Sequence, residues 1–153
     1  MKKILKLLSE FIKDSKLEEY LVYGSLAYAI YTNDPVNIAD IDITISRKNF
    51  AKVQVNLQNN KNYKLFPFEK TIHVNFTNIL GADGKPFDIS LDSFEDYFAD
   101  KGIKLQNFTE YSYADIKMKI MTKQDLLSTY KLTTENHAKR QEYDQKIVKL
   151  GLK

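Results

Sequence analysis

With 153 residues, 43% of them apolar and 28% charged, the chain has the size and composition of one globular domain with a single core. Its net charge of +3 is too small to demand a nucleic-acid partner, and the lack of cysteine excludes disulfides, a thiol nucleophile and a cysteine metal cluster. We therefore read 1–153 as a single domain.

The N-terminus opens Met1-Lys2-Lys3-Ile4-Leu5, like the start of a secretory signal. Ser9-Glu10-Phe11-Ile12-Lys13-Asp14 then interrupts the apolar run with charge, and no small-residue cleavage site follows. Ile4, Leu7, Leu8, Phe11 and Ile12 recur at helical spacing, so this segment is expected to be an amphipathic helix on the core. No stretch approaches the ~18 apolar residues of a membrane span, and a cytoplasmic protein is the default expectation.

Leu21-Val22-Tyr23 reads as a short buried strand ending at Gly24. Ser25 to Thr32 reads as a helix, stopped by Asn33-Asp34-Pro35. Asp40, Asp42 and Thr44 alternate with Ile41, Ile43 and Ile45, a strand whose aspartates share one face and whose isoleucines fill the other. Phe50 to Asn59 suggests a helix, and Tyr63–Phe66 and Thr71–Leu80 suggest strands. Phe87–Leu91 is a further strand, reached through a hairpin loop at Gly81–Pro86. A short helix is expected after Ser93. Ile116, Met118 and Ile120 mark a late strand. Thr122-Lys123-Gln124-Asp125 then matches a capping box, opening a long final helix over about 123–150.

Two aspartates two positions apart on a strand hold their Cα atoms roughly 6–7 Å apart. That spacing suits a site in which two ions lie about 3.5–4 Å apart. Mg²⁺ favours oxygen ligands and commonly keeps phosphate oxygens in its shell. A pair alone leaves one ion poorly held, so a third carboxylate is expected from a neighbouring strand. Asp88, flanked by Phe87 and Ile89, is the candidate. Asp92, at the strand end where caps and turns are common, ranks behind it. Either aspartate of the pair, taken alone, would read as a solvent-facing position on a half-exposed sheet.

Gly24 allows close approach of backbone to a ligand. Ser25 opens a helix whose free N–H groups and dipole favour phosphate. His73 lies in the strand pattern Thr71-Ile72-His73-Val74-Asn75, where a packed or surface role is expected. His137 is expected on an exposed helix face. Tyr23, Tyr28 and Tyr31 cluster near the carboxylates, and one of them could stack on a base.

The order strand, Gly24-Ser25, helix, Asp40-Ile41-Asp42, then Asp88 resembles the nucleotidyltransferase superfamily, whose core is shared with DNA polymerase β. The resemblance covers about residues 20–92, close to half of the chain. It implies an α+β fold: a mixed, palm-like β-sheet flanked by helices, with a long C-terminal helix. It also implies a metal-dependent transfer of a nucleoside monophosphate from a nucleoside triphosphate to a hydroxyl. Asp40, Asp42 and Asp88 would hold two Mg²⁺ ions, with Asp88 as ligand or general base. Gly24, Ser25 and Lys131 would contact the nucleotide, with Arg140 a weaker candidate.

Size and layout are similar to the small antibiotic nucleotidyltransferases that act on lincosamides or aminoglycosides. A small-molecule acceptor, an antibiotic among the candidates, is therefore the leading expectation, and such relatives suggest a homodimer. AMP transfer to a protein, as in toxin–antitoxin or defence systems, is one alternative. A non-catalytic binding domain on the same fold is another. The chain departs from the family pattern where many relatives place an arginine and a glycine after Gly-Ser. Here the residues are Ala27, Tyr28 and Ala29. A polynucleotide polymerase is not expected, because no basic cluster or separate nucleic-acid module is present.

Overall fold

The computed structural model describes residues 1–34, 38–134 and 140–152. The strands are β1 (Leu21–Tyr23), β2 (Asp40–Ile45), β3 (Tyr63–Pro67), β4 (Thr71–Leu80), β5 (Pro86–Ser93), β6 (Phe108–Tyr113) and β7 (Ile116–Met121). The α-helices are α1 (Lys2–Ser15), α2 (Gly24–Thr32), α3 (Phe50–Leu57), α4 (Phe94–Tyr97), α5 (Lys123–Thr134) and α6 (Arg140–Leu152). The strands form one mixed sheet in the order β3-β4-β5-β2-β1-β7-β6. In it β2 runs parallel to β5 and β1 parallel to β7, while the remaining neighbours are antiparallel. The architecture is the expected α+β arrangement of a mixed sheet with helices.

Alternation along the central strands divides the sheet into two faces. Ile41, Ile43 and Ile45 of β2, Ile89 and Leu91 of β5, and Ile72 and Val74 of β4 are all fully buried. They share one apolar cluster with Leu8 and Phe11 of α1 and with Val53 and Leu57 of α3. Burying each such side chain contributes about 1.5–3 kcal/mol, so this face anchors the fold. α1 presents the expected stripe, with Leu7, Leu8, Phe11 and Ile12 buried. α2 ends on Asn33 in the left-handed region (φ 54°), a conformation asparagine tolerates well. Pro35, which the sequence pattern also assigned to that stop, lies outside the described residues.

Two elements differ from the sequence reading. The terminal helical segment is two helices, α5 and α6, rather than one helix over about 123–150. The Tyr130 and Tyr143 rings stand 5.6 Å apart, whereas thirteen residues of one straight helix would separate their backbones by about 20 Å. The chain therefore folds back, and α6 is the C-terminal helix. The capping box at the start of α5 is half-formed: the Asp125 N–H donates to Thr122 Oγ1 at 3.2 Å, while the Asp125 carboxylate accepts from Asn107 Nδ2.

The second difference is the edge strand β6, which the sequence pattern did not announce. It joins β7 through Ala114-Asp115, with Ala114 at φ 52°. The Asn-Gly or Asp-Gly signal usual in such a turn is missing. Among the described residues no helix is long and apolar enough to cross a membrane.

Candidate active site

Sheet register decides which carboxylates meet. Asp40 of β2 lies directly opposite Asp88 of β5, Asp42 opposite Ser90, and Thr44 opposite Asp92. On the far side of β5, Asn75, His73 and Thr71 of β4 stand opposite Asp88, Ser90 and Asp92. On the far side of β2, Tyr23 of β1 stands opposite Asp42. All of these side chains therefore share the face away from the isoleucine core. Asp40, Asp42 and Asp88, the three expected from sequence, lie on this face.

The crowding shows in their acidity. Burial, then the charges of Asp40, Asp92 and Asp88, push the Asp42 carboxyl up to about 7, and the positive charge of Lys146 partly offsets this. Burial, then the charge of Asp88, also raises Asp40. Like charges held together in a partly dry site favour protons or cations.

Asp88 and Asp92 differ in how they are held. Asp92 has both oxygens occupied: Oδ1 accepts from Thr71 Oγ1 at 2.9 Å and Ser90 Oγ at 3.2 Å, and Oδ2 accepts from the Tyr23 hydroxyl. Asp88 has one: Oδ2 accepts from His73 Nδ1 at 2.9 Å. Its Oδ1 is buried and, among the described residues, has no hydrogen-bond partner. A buried, unpartnered carboxylate oxygen is costly and calls for an explanation. A hard divalent cation, which takes oxygen ligands, fits both that oxygen and an all-carboxylate donor set. Among the described residues no three such side chains already converge on a common ion position.

Gly24 turns the chain from β1 into α2 with φ +69°. A Cβ built there would collide with Asp42 Oδ2, so only glycine lets the helix start lie against the carboxylate. Ser25 follows in the first turn of α2, where free N–H groups and the helix dipole favour an anion. The Tyr130 hydroxyl donates to the Gly24 carbonyl at 3.2 Å and ties α5 to this turn.

One cavity reaches Asp42 and Asp92, and a second lies at the Ser25 end of α2. The larger, about 430 Å³, reaches Gly24, Asp42 and Asp92 and is walled by Tyr23, Tyr97, Phe98, Tyr130 and Tyr143, with Lys101 also on its lining. The smaller, about 280 Å³, is lined by Ser25, Tyr28, Lys146 and Lys149 among others. Of the three tyrosines expected near the site, Tyr23 lines the larger cavity. Tyr28 is buried beneath the smaller one, and Tyr31 donates to the Met121 carbonyl at 2.8 Å.

The cation beside Asp42 is one that sequence reasoning missed. Lys146 of α6 has only 14% of its side chain exposed. Its Nζ lies 5.4, 5.7 and 5.8 Å from the ring centroids of Tyr28, Tyr130 and Tyr143. Such rings attract a cation through their negative faces. Lys131, expected to contact the nucleotide, stands exposed on α5 and lines neither cavity. The side chain of Arg140 and the whole of His137 lie outside the described residues.

No protein-family model matches the chain, and no curated protein matches its sequence. Solved structures do. An antigenic nucleotidyltransferase-like protein from Paracoccidioides brasiliensis superposes with a TM-score of 0.68 at 12% identity, over 97% of this chain and 74% of that one. The lincosamide antibiotic adenylyltransferase LnuA, solved with lincomycin bound, gives 0.60 at 16% identity over 99% and 96% of the two chains. A nucleotidyltransferase-annotated protein from Thermotoga maritima gives 0.56 at 18% identity over 85% and 84%. The chain thus has the nucleotidyltransferase fold over nearly its whole length, as its motifs implied.

Proposed function

We propose that this chain is a metal-dependent nucleotidyltransferase that moves a nucleoside monophosphate from a nucleoside triphosphate to a hydroxyl of a small molecule. The observation that carries the reading is the in-register placement of Asp40 against Asp88, with Asp42 beside them and a glycine-opened helix start pressed on Asp42. Asp40, Asp42 and Asp88 are the residues to hold divalent cations, Mg²⁺ being the hard cation that their oxygens fit. When bound, such ions neutralise phosphate charge and lower the pKa of an acceptor hydroxyl.

The remaining residues bind and orient. The first-turn amides at Gly24-Ser25 suit phosphate oxygens, and Lys146 brings positive charge to the same corner. Lys146 is a better candidate for the triphosphate than Lys131, because it is held at the site by three rings. In the reaction the acceptor oxygen bonds to the α-phosphorus, and the bond from that phosphorus to the bridging oxygen breaks. Pyrophosphate leaves, and the hydroxyl proton passes to water. Asp88 acts as a ligand rather than as the base, because His73 already occupies its second oxygen.

The aromatic cavity beside Asp42 has the size of a small-molecule pocket. That favours a compact acceptor over a protein surface. LnuA was solved with lincomycin, and ANT(2'')-Ia, a further structural neighbour, with adenylyl-2''-tobramycin. An antibiotic acceptor is consistent with that company.

Calorimetric titration of ATP, GTP, CTP and UTP in the presence of Mg²⁺ tests the reading. At least one nucleotide should bind, and Asp42→Ala should lose that binding while keeping the circular dichroism of the fold. Acceptor-dependent release of pyrophosphate should fall by at least about 10³-fold in the same variant, the order of effect expected when a main electrostatic element is removed. If no triphosphate binds, or if Asp42→Ala binds and turns over like the parent, the assignment fails.

A further inference from the structure

His73 is a strand residue that the reaction outlined above does not use, yet the sheet delivers it to the carboxylates. Its place in β4, opposite Ser90 and next but one to the Asn75–Asp88 pair, puts it on the acidic face. Its Nδ1 lies 2.9 Å from Asp88 Oδ2. With the hydrogen on Nδ1, the ring is a donor to the carboxylate oxygen at that distance. The Phe68 ring meets the imidazole edge-on, with centroids 5.9 Å apart at 80°.

A histidine–aspartate pair at a sheet surface is ordinary. The other Asp88 oxygen is not, because Oδ1 is buried and, among the described residues, unpartnered. Among the described residues the carboxylate is held by one oxygen only, and the second has no donor. Asp92, two residues along the same face, is the opposite case, with three side-chain donors spread over both oxygens. The two aspartates of β5 are thus sorted by their neighbours into one saturated anchor and one half-open carboxylate.

We propose that His73 is a positioning residue: by donating from Nδ1 to Asp88 Oδ2 it fixes the carboxylate as a one-oxygen ligand, with Oδ1 reserved for the divalent cation. This rests on the metal-dependent reading above. The imidazole touches neither substrate nor ion. It acts by removing the rotational freedom of Asp88 and by occupying the oxygen that would otherwise allow two-oxygen binding. Outer partners of metal ligands typically tune affinity 10–100-fold.

The test is Mn²⁺ binding to the metal-free protein, read from the electron paramagnetic resonance signal of free Mn²⁺, in the parent and three variants. Asp88→Asn should abolish the site. His73→Ala should weaken Mn²⁺ about tenfold or more, with a melting temperature close to that of the parent, since the side chain is 43% exposed. His73→Asn, which keeps an N–H donor near the place of Nδ1, should recover most of the loss. The proposal is overturned if His73→Ala binds Mn²⁺ like the parent while Asp88→Asn does not bind, or if His73→Asn is as weak as His73→Ala. A parent protein that takes up no Mn²⁺, or an Asp88→Asn variant that binds normally, would instead overturn the metal site itself.

Discussion

The strand pair β2–β5 carries two faces built to opposite ends. On one, Ile41, Ile43, Ile89 and Leu91 are completely removed from water. On the other, Asp40 faces Asp88 and, four positions along, Thr44 faces Asp92, and burial with mutual charge drives Asp42 up to about 7. The pleat that alternates side chains lets the same two strands anchor the fold and hold a charge cluster that opposes it. A cluster that costs stability and lies beside a cavity is what makes this face the candidate functional site.

Cutting into the apolar face should have the larger effect on folding. Ile43→Ala removes a fully buried side chain next to Leu91 and leaves a cavity. The expected loss is about 2–5 kcal/mol, read as a lower urea midpoint with an unchanged slope. A loss below about 1 kcal/mol would show that the isoleucine face does not bear the fold.

Relieving the acidic face should act in the opposite direction. In the metal-free protein Asp42 binds its proton up to about pH 7, against an ordinary value of 3.8. Between those values the native state holds more protons than the unfolded state, so the stability contributed by the protonated group is lost as pH rises from about 4 to about 7. Asp42→Asn removes that titration. At pH 8 the variant should therefore be more stable than the parent by up to about 4 kcal/mol, from roughly three pKa units. At pH 4 the two should be nearly equal. Saturating Mg²⁺ should raise the parent at pH 8 and leave the variant almost unmoved. Thermal melts at the two pH values decide it, and a variant that melts lower than the parent at pH 8 would refute the charge-crowding account.

How much of this was readable from the residues follows from which facts are local. Asp40 and Asp42 were legible because polar side chains interrupt an isoleucine strand at a period of two, and Gly24 because it closes an apolar strand. Asp88 was legible as a polar residue between Phe87 and Ile89. Its pairing with Asp40 is a matter of register, which no single strand specifies. His73 was read as a packed or surface residue, because its partner arrives from β5 by that same register.

Lys146 was missed because its position depends on α6 folding back along α5, and Tyr28, Tyr130 and Tyr143 come from three different helices. A signal did exist: Tyr143, Ile147 and Leu150 form the inward stripe of α6, and Lys146 sits within it. A lysine on an apolar stripe is an anomaly that invites a partner. The strand β6 was hidden for a different reason. It is a largely exposed edge whose turn uses Ala114 at positive φ.

The smallest expected effect concerns how Asp92 is held. Tyr23 donates to Asp92 Oδ2, and burial followed by the Asp92 charge raises the pKa of its hydroxyl well above the ordinary 10.0. Tyr23→Phe leaves the ring in its edge-on contact with Phe98, 4.9 Å between centroids, but takes away one donor. Asp92 keeps Thr71 and Ser90 on Oδ1. The cost should be about 1–2 kcal/mol for the lost partner of a partly buried carboxylate, or about 2–8 °C in melting temperature for a chain of this size. The sign at high pH is separate. A tyrosine raised in the native state contributes stability that is present below pH 10 and lost as pH climbs above it, because only the unfolded chain can release the proton. The deficit of Tyr23→Phe should therefore shrink in melts above pH 10. A deficit that stays constant to pH 11 would mean that the tyrosine matters for packing alone, and that Asp92 is held by β4 and β5 without help from β1.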